Sequence, residues 1–189
     1  MIIAILGLSG SGKDTICNAI SKDLDIPKIV SHTTRPPRNQ EEIDNNTYHF
    51  VSNDFFESEK DNFIEQRTYK VKTPNDKCEI WRYGIHKDSI KDDVSLVIVD
   101  PPGLYDLENY FGKSNIIPFY IHCNDEIRMQ RLVQRGDTKN LAEVKRRQHD
   151  DNLRFKDFIE KGDYYKIHNE YEVENAINEM EYILIKNVL

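Results

Sequence analysis

Residues 1–15 read MIIAILGLSGSGKDT. An apolar run, Ile2 to Leu6, leads into Gly7, Gly10 and Gly12, and then Lys13. The spacing is that of the phosphate loop G-x-x-x-x-G-K-[ST] at every position but the last, where Asp14 stands in place of a hydroxyl. A buried strand ending at Gly7 and a helix opening near Lys13 form the context such a loop needs. Its glycines let backbone N–H groups turn onto phosphate oxygens, and the helix N-terminus adds partial positive charge. The candidate cradle is therefore Ser9, Gly10, Ser11, Gly12, Lys13, Asp14 and Thr15, with Lys13 as the cation among the terminal phosphates. A glycine-rich turn without a ligand is the plainer alternative; the Gly-Lys pair directly after a strand weighs against it.

Asp14 leaves two readings open. Its carboxylate is a hard anionic oxygen able to ligate Mg²⁺, with the Thr15 hydroxyl one step on in the same helical turn. Equally, it is an early-helix acid favoured by the helix dipole.

Away from the loop, apolar strand candidates at Ile2–Leu6, Ser95–Val99, Pro118–His122 and Tyr164–His168 alternate with helical patterns. The latter fall near Asp14–Lys22, Leu104–Tyr110, Asp125–Gln134, Ala142–Glu160 and Val173–Lys186. Short, nearly continuous apolar runs between helices predict an α/β fold, a parallel sheet covered on both faces. Between about Ser31 and Lys87 the texture turns aromatic, charged and turn-rich, which predicts an inserted subdomain of strands and short helices. Residues 136–145 read as a mobile polar loop between two helices. The 189 residues suit one domain, with its core in 1–30 and 90–189 and the insert at about 31–88.

Composition narrows the function further. The net charge of −7 argues against nonspecific nucleic-acid binding, and no apolar run reaches the ~20 residues of a membrane span. The start lacks a basic region ahead of its apolar run, so it reads as a strand and not a signal peptide. Cys17, Cys78 and Cys123 are odd in number and lack metal-ligand spacing, which suits core or surface positions in a reducing, cytoplasmic setting. Basic residues nevertheless concentrate locally. Arg131 to Arg147 carries six against two acids, a net of +4, and TTRPPR at 33–38 is a second island. Two positive patches in an acidic chain point to an anionic small molecule.

In the second island Arg35 and Arg38 are separated by prolines that stiffen the backbone, and guanidinium forks held this way suit a phosphate monoester. Glu42 and Tyr48 follow on what reads as a turn-rich loop. A solvated basic turn is the plain alternative. Together with the phosphate loop, residues 30–52, VSHTTRPPRNQEEIDNNTYHFVS, resemble the guanylate kinase family, which phosphorylates GMP with ATP. Ser31, His32, Thr33, Thr34, Arg35, Pro37, Arg38, Glu42 and the run Tyr48 to Ser52 match its pattern, with one residue inserted ahead of Glu42, so that Glu41 is the other candidate acid. FIE at 63–65, YG at 83–84, VD-x-x-G at 99–103, RL-x-x-RG at 131–136 and DY…I-x-N at 163–169 follow in the family's order, so the resemblance covers nearly the whole chain.

The resemblance implies a P-loop NTPase-type sheet with an inserted NMP-binding subdomain and a short lid at 136–145. It implies that Arg35, Arg38 and Tyr48 hold the GMP phosphate, with Glu42 and Tyr83 orienting them or joining the contact. Ser31, Glu65 and Asp100 would read the guanine edge, and Asn169 would lie near the adenine of ATP. Arg131 and Arg135, with Arg146 or Arg147 (Arg147 being the working choice), would close over the transferring phosphate alongside Lys13. Mg²⁺ would accompany ATP, on Asp14 or Thr15, in a cytoplasmic monomer or homodimer with no nucleic-acid or membrane partner.

Three departures stand out: Asp14; Ile85, where the family usually carries a Ser or Thr that helps hold the base; and a long segment from Glu65 to Tyr83, expected to form an extended hairpin turning near Thr73–Lys77. They keep two rivals open. One is a related kinase with another acceptor, since the Gly-Lys-Asp stretch also resembles ribose 1,5-bisphosphate phosphokinases. The other is a non-catalytic guanylate-kinase-like binding module, against which the intact Lys13 and arginines stand.

Overall fold

The computed structural model describes residues 1–37, 39–44, 47–72, 78–134 and 141–187, without the side chains of Glu41, Lys72 and residues 141–147. Arg38, Arg135, the expected hairpin turn at Thr73–Lys77 and lid residues 136–140 thus lie outside the described residues, as do the side chains of Arg146 and Arg147.

Strand β1 (Ile2–Leu6) is central. It pairs in parallel with β6 (Ser95–Ile98) on one side and β7 (Ile116–His122) on the other, and β8 (Tyr165–His168) extends the sheet beyond β7. Every residue of β1 is buried, as a strand covered on both faces requires. Its alternation divides the core. Ile2, Ala4 and Leu6 pack with Leu104 and Leu107 of α4 (Pro101–Phe111) and Phe155 and Phe158 of α6 (Leu141–Lys161). Ile3 and Ile5 pack with Ile16, Cys17 and Ile20 of α1 (Lys13–Asp23) and Ala176, Met180 and Leu184 of α7 (Val173–Asn187). Helix α5 (Asp125–Gln134) follows β7.

The insert forms a second sheet in the order β3-β2-β5-β4, from β2 (His32–Thr33), β3 (His49–Phe50), β4 (Phe63–Lys72) and β5 (Cys78–His86). Two short helices, α2 (Gln40–Asp44) and α3 (Asn53–Ser58), complete it. Ser52 caps α3 by accepting from the Phe55 N–H at 3.1 Å. The β4–β5 hairpin carries a register shift between Phe63 and Glu65, a bulge immediately before Glu65.

Several expectations need correction. Helix α6 already runs from Leu141, so residues 141–145, read as polar loop, have helical backbone. Helix α4 begins three residues before the expected Leu104, because Asp100 caps it and Pro101 suits the first turn. Glu42 sits on a helical turn and not on a loop; the Asn39 side chain accepts from the Glu42 N–H at 3.0 Å and starts that turn. Ile85 is fully buried in the core with Leu104 and Phe155.

Candidate active site

The loop between β1 and α1 is held from outside by its carbonyls. Arg128 Nη1 donates to Ser9 O at 3.0 Å, Asn169 Nδ2 to Ser11 O at 2.8 Å, and Arg131 Nη1 reaches the same oxygen at 3.4 Å. A planar trans peptide points its C=O and the next N–H in opposite directions. Tying down Ser9 O and Ser11 O therefore turns the Gly10 and Gly12 N–H groups away from those side chains. Both glycines are left-handed, φ 83° and 87°. A Cβ on Gly10 would stand 2.7 Å from Arg128 O, and one on Gly12 would overlap Asn169 Nδ2, so neither position tolerates a side chain. Lys13 opens α1, with Asp14 Oδ2 3.9 Å from its ammonium. Asp14 and Thr15 are exposed.

Arg35 is 2% exposed. Its two terminal nitrogens donate to the two carboxylate oxygens of Glu42, both at 3.0 Å, and Nη1 also reaches Pro36 O at 2.9 Å. The Tyr48 ring lies 5.5 Å from the guanidinium carbon and 5.8 Å from the Tyr83 ring. With Glu42 on the terminal fork, the remaining donors form a side-on fork of Nε–H and the second Nη2–H. Nε is buried and has no hydrogen-bond partner among the described residues. A buried orphan donor is costly unless an anion supplies its acceptor.

Beyond these groups lies the charged end of the cleft. Glu65 is buried, and Arg67 Nη1 lies 3.7 Å from its carboxylate. Arg67 also pairs with Asp100 at 3.4 Å and Asp106 at 2.8 Å. Burial works against the Arg67 charge, but Asp106, Asp100 and Glu65 hold its pKa above the ordinary value. Asp100 does two jobs. One oxygen caps α4, accepting from the Gly103 N–H at 2.9 Å, while the other faces Tyr69 OH at 3.4 Å and Arg154 Nη1 at 3.6 Å. Arg154 donates to Tyr69 OH at 2.7 Å.

Burial pushes the Glu65 carboxyl up to about 7, aided by Asp100 and Asp106 and opposed by Arg67. The folded chain then binds more protons than the unfolded chain between the ordinary 4.5 and about 7, so stability falls as pH rises through that window. Glu65→Gln is expected to leave the thermal midpoint unchanged at pH 4 and to raise it at pH 8. The gain is at most about 3 kcal/mol, or roughly 5–10 °C for a domain of this size. A midpoint difference independent of pH, read by calorimetry at both values, would overturn this account of Glu65.

One cavity of about 280 Å³ joins the phosphate loop to the charged end of the cleft; Tyr48 and Tyr83 line it, whereas Arg35 and Glu42 do not. Ser9 and Lys13 line its phosphate-loop end; Ser31, Tyr48, Glu65, Tyr83 and Asp100 line the rest. Ile85 does not line it, so no hydroxyl from that position faces the cleft. Asn169, expected near adenine, is buried and braces the loop through Ser11. Arg131 flanks the loop, near Cys123 Sγ at 3.6 Å.

The sequence reading did not single out Arg67, Tyr69, Val71 and Trp81, which also line the cavity, nor Asp150, Asp151, Arg154 and Phe155. Residues 65, 67, 69 and 71 share one face of β4, and strand alternation past Glu65 was a signal for them. Asp151, whose carboxylate accepts from the Ser9 N–H at 2.8 Å, is 142 positions away and gave no local sign. Arg128, which the sequence reading did not single out either, is almost fully buried beneath the loop.

A sequence profile described as "Guanylate kinase" matches residues 1–187. The guanylate kinase of Fusobacterium nucleatum subsp. nucleatum is 28% identical over 196 residues, covering 99% of this chain and 97% of that protein. That of Clostridium acetobutylicum is 28% identical over 200 residues, covering 98% and 85%. The crystal structure of guanylate kinase from Anaplasma phagocytophilum superposes with a TM-score of 0.63 at 19% identity, over 98% of this chain and 85% of that one, a likeness of fold. With the family profile running from the first strand through the last helix, the chain belongs to the guanylate kinase family.

Proposed function

We propose that the chain transfers the γ-phosphate of ATP to the phosphate of GMP or dGMP, releasing ADP and GDP or dGDP. The observation that carries this reading is the single cleft in which Lys13 and Ser9 share walls with Tyr48, Tyr83, Glu65 and Asp100. Lys13 and the loop N–H groups bind the donor phosphates. The free fork of Arg35, with Tyr48 and Arg38, holds the acceptor phosphate so that one of its oxygens faces the γ-phosphorus. That oxygen forms the new P–O bond as the bond to the β–γ bridging oxygen breaks. A phosphate oxygen is already anionic near neutral pH, so no strong base is required. Arg131, Arg135 and Arg147 offset charge on the transferring group as the lid closes and water is excluded.

The exposed oxygens of Asp14 and Thr15 at the start of α1 suit Mg²⁺, which favours one or two protein oxygens plus substrate phosphates. Asp14 and Thr15 would hold the ion there, and it would supply positive charge against the phosphates of ATP. On this reading the reaction takes place in the cytoplasm, carried out by a monomer or homodimer on free nucleotides. No described helix is long and apolar enough to cross a membrane.

The test is ADP release from ATP–Mg²⁺ with GMP, dGMP, AMP, CMP, UMP and ribose 1,5-bisphosphate as acceptors. Turnover on GMP or dGMP well above the others supports the reading. No turnover with any acceptor moves the chain to the non-catalytic binding modules. A kinase with another acceptor is favoured by one observation: Arg67 already occupies the carboxylates expected to read guanine. Preference for a different acceptor in the same panel establishes that reading instead.

The charge state of Glu65 predicts a pH dependence. Guanine presents N–H donors to this carboxyl, and protonation below about 7 puts a hydrogen on the acceptor. The KM for GMP is expected to rise toward tenfold between pH 8 and pH 6, while the KM for ATP changes less. Part of any change belongs to the phosphate monoester, whose second pKa is about 6. Glu65→Gln keeps that part and loses the rest; an unchanged pH profile in this variant sinks the guanine role of Glu65.

A further inference from the structure

His122 ends β7 and His168 ends β8, and the parallel register sets them directly opposite each other. Their ring centroids are 5.2 Å apart. Glu170, two residues beyond β8, turns back on the pair. One carboxylate oxygen lies 3.4 Å from His122 Nε2 and the other 4.0 Å from His168 Nδ1. One donor atom from each of the three residues lies within 4.8 Å of the other two. None of the three lines the cleft, and the proposed transfer uses none of them.

Two imidazole nitrogens and one carboxylate oxygen are the donor set of three-ligand zinc sites that keep a fourth position open. Tetrahedral ligands bonded at about 2.0–2.1 Å stand roughly 3.4 Å apart. The His122–Glu170 pair already has that spacing, and His168, whose donor lies within 4.8 Å of the other two, must close in by about 1.4 Å at most, which a rotamer adjustment at an exposed strand end supplies. His122 and Glu170 are partly buried and held by the ends of the sheet, while His168 is 53% exposed and leaves an entry path. Two cations oppose binding: Lys166, one alternation back on β8, and the buried Arg128.

We propose that His122, His168 and Glu170 form a binding site for one divalent transition-metal cation of the zinc class, with its fourth position open to water. The place gives such a site a consequence. Asn169 lies between two of the ligands; its backbone N–H donates to His122 O at 2.9 Å and its side chain holds Ser11 O. A bound cation therefore clamps the ends of β7 and β8 around the residue that braces the phosphate loop.

The test uses the full chain, stripped with chelator and dialysed against zinc chloride, with metal content measured by mass spectrometry and midpoint by calorimetry. The expected result is one zinc per chain and a higher midpoint. His122→Ala, His168→Ala and Glu170→Gln are each expected to weaken binding at least about tenfold and to remove the midpoint gain. Lys166→Gln is expected to tighten binding several-fold. Exposed Cys78 is the obvious competing zinc ligand, so Cys78→Ser must retain the full stoichiometry. Cobalt substitution supplies a second readout, visible ligand-field bands without a thiolate charge-transfer band. A variant that fails to fold is replaced by His168→Gln at the exposed end of the site. No stoichiometric zinc, zinc binding indifferent to all three ligand substitutions, or zinc lost in Cys78→Ser overturns the proposal.

Discussion

Replacing Lys13 by alanine is expected to lower kcat with ATP and the best acceptor by about 10²–10³-fold in a chain that still folds, the effect of removing one preorganised charge from a transition state. The ammonium lies at the first turn of α1, beside Ser9 on the wall of the shared cleft. Its ion partner among the described residues is Asp14 at 3.9 Å, whose side chain is 64% exposed, so little folding energy rests on the pair. Steady-state kinetics and a melting curve separate the two quantities. A fall in kcat with an unchanged midpoint places the cation on the transferring phosphates. Undiminished kcat would mean that this loop is not the donor site, however closely its glycines follow the pattern.

Arg35→Ala is expected to act on both function and stability. The variant loses the side-on fork proposed to hold the acceptor phosphate, and the KM for that acceptor is expected to rise about 100-fold with a further loss in kcat. It also leaves Glu42, only 13% exposed, without its bidentate partner. Removing one member of a buried ion pair costs up to about 3–5 kcal/mol, or at most roughly 10 °C in a domain of this size. Kinetics alone would confuse the two losses, so the second variant is Arg35→Ala with Glu42→Gln. The double variant should recover most of the midpoint while leaving acceptor binding as poor as in the single one. Recovery of acceptor KM along with the midpoint would show that Arg35 only holds the fold.

These two residues were readable in the sequence for different reasons. Lys13 sits in a contiguous strand, turn and helix, each part specified by its own residues: aliphatic Ile2–Leu6, left-handed Gly10 and Gly12, and a helix start. Arg35 was readable because prolines and the acid seven positions on lie close in the chain, and the structure joins them through a short helical turn started by Asn39. Ile85 shows the limit of such reading. Its position after Tyr83-Gly84 pointed to the base pocket, whereas the side chain is buried with Leu104 and Phe155. Which face a strand residue takes depends on register, and the bulge before Glu65 sets the register of this hairpin.

By itself the sequence determined the alternation of strands and helices, the glycine-rich loop between the first strand and helix, the nearness of Arg35 to its acid Glu42, and the family. All of these rest on residues near one another in the chain, where backbone preferences and side-chain periodicity act directly. Only the tertiary structure decided that Arg67 would sit among Glu65, Asp100 and Asp106, and that Arg154 would reach across from α6 to Tyr69. It alone brought His122 opposite His168 with Glu170 turned between them. It likewise decided that burial would lift the Glu65 carboxyl to about 7. Each of these depends on which strand ends and helix faces meet in space and on how much water is excluded where they meet. Those quantities are set by packing the two sheets and their helices together, and no local stretch of the chain contains them.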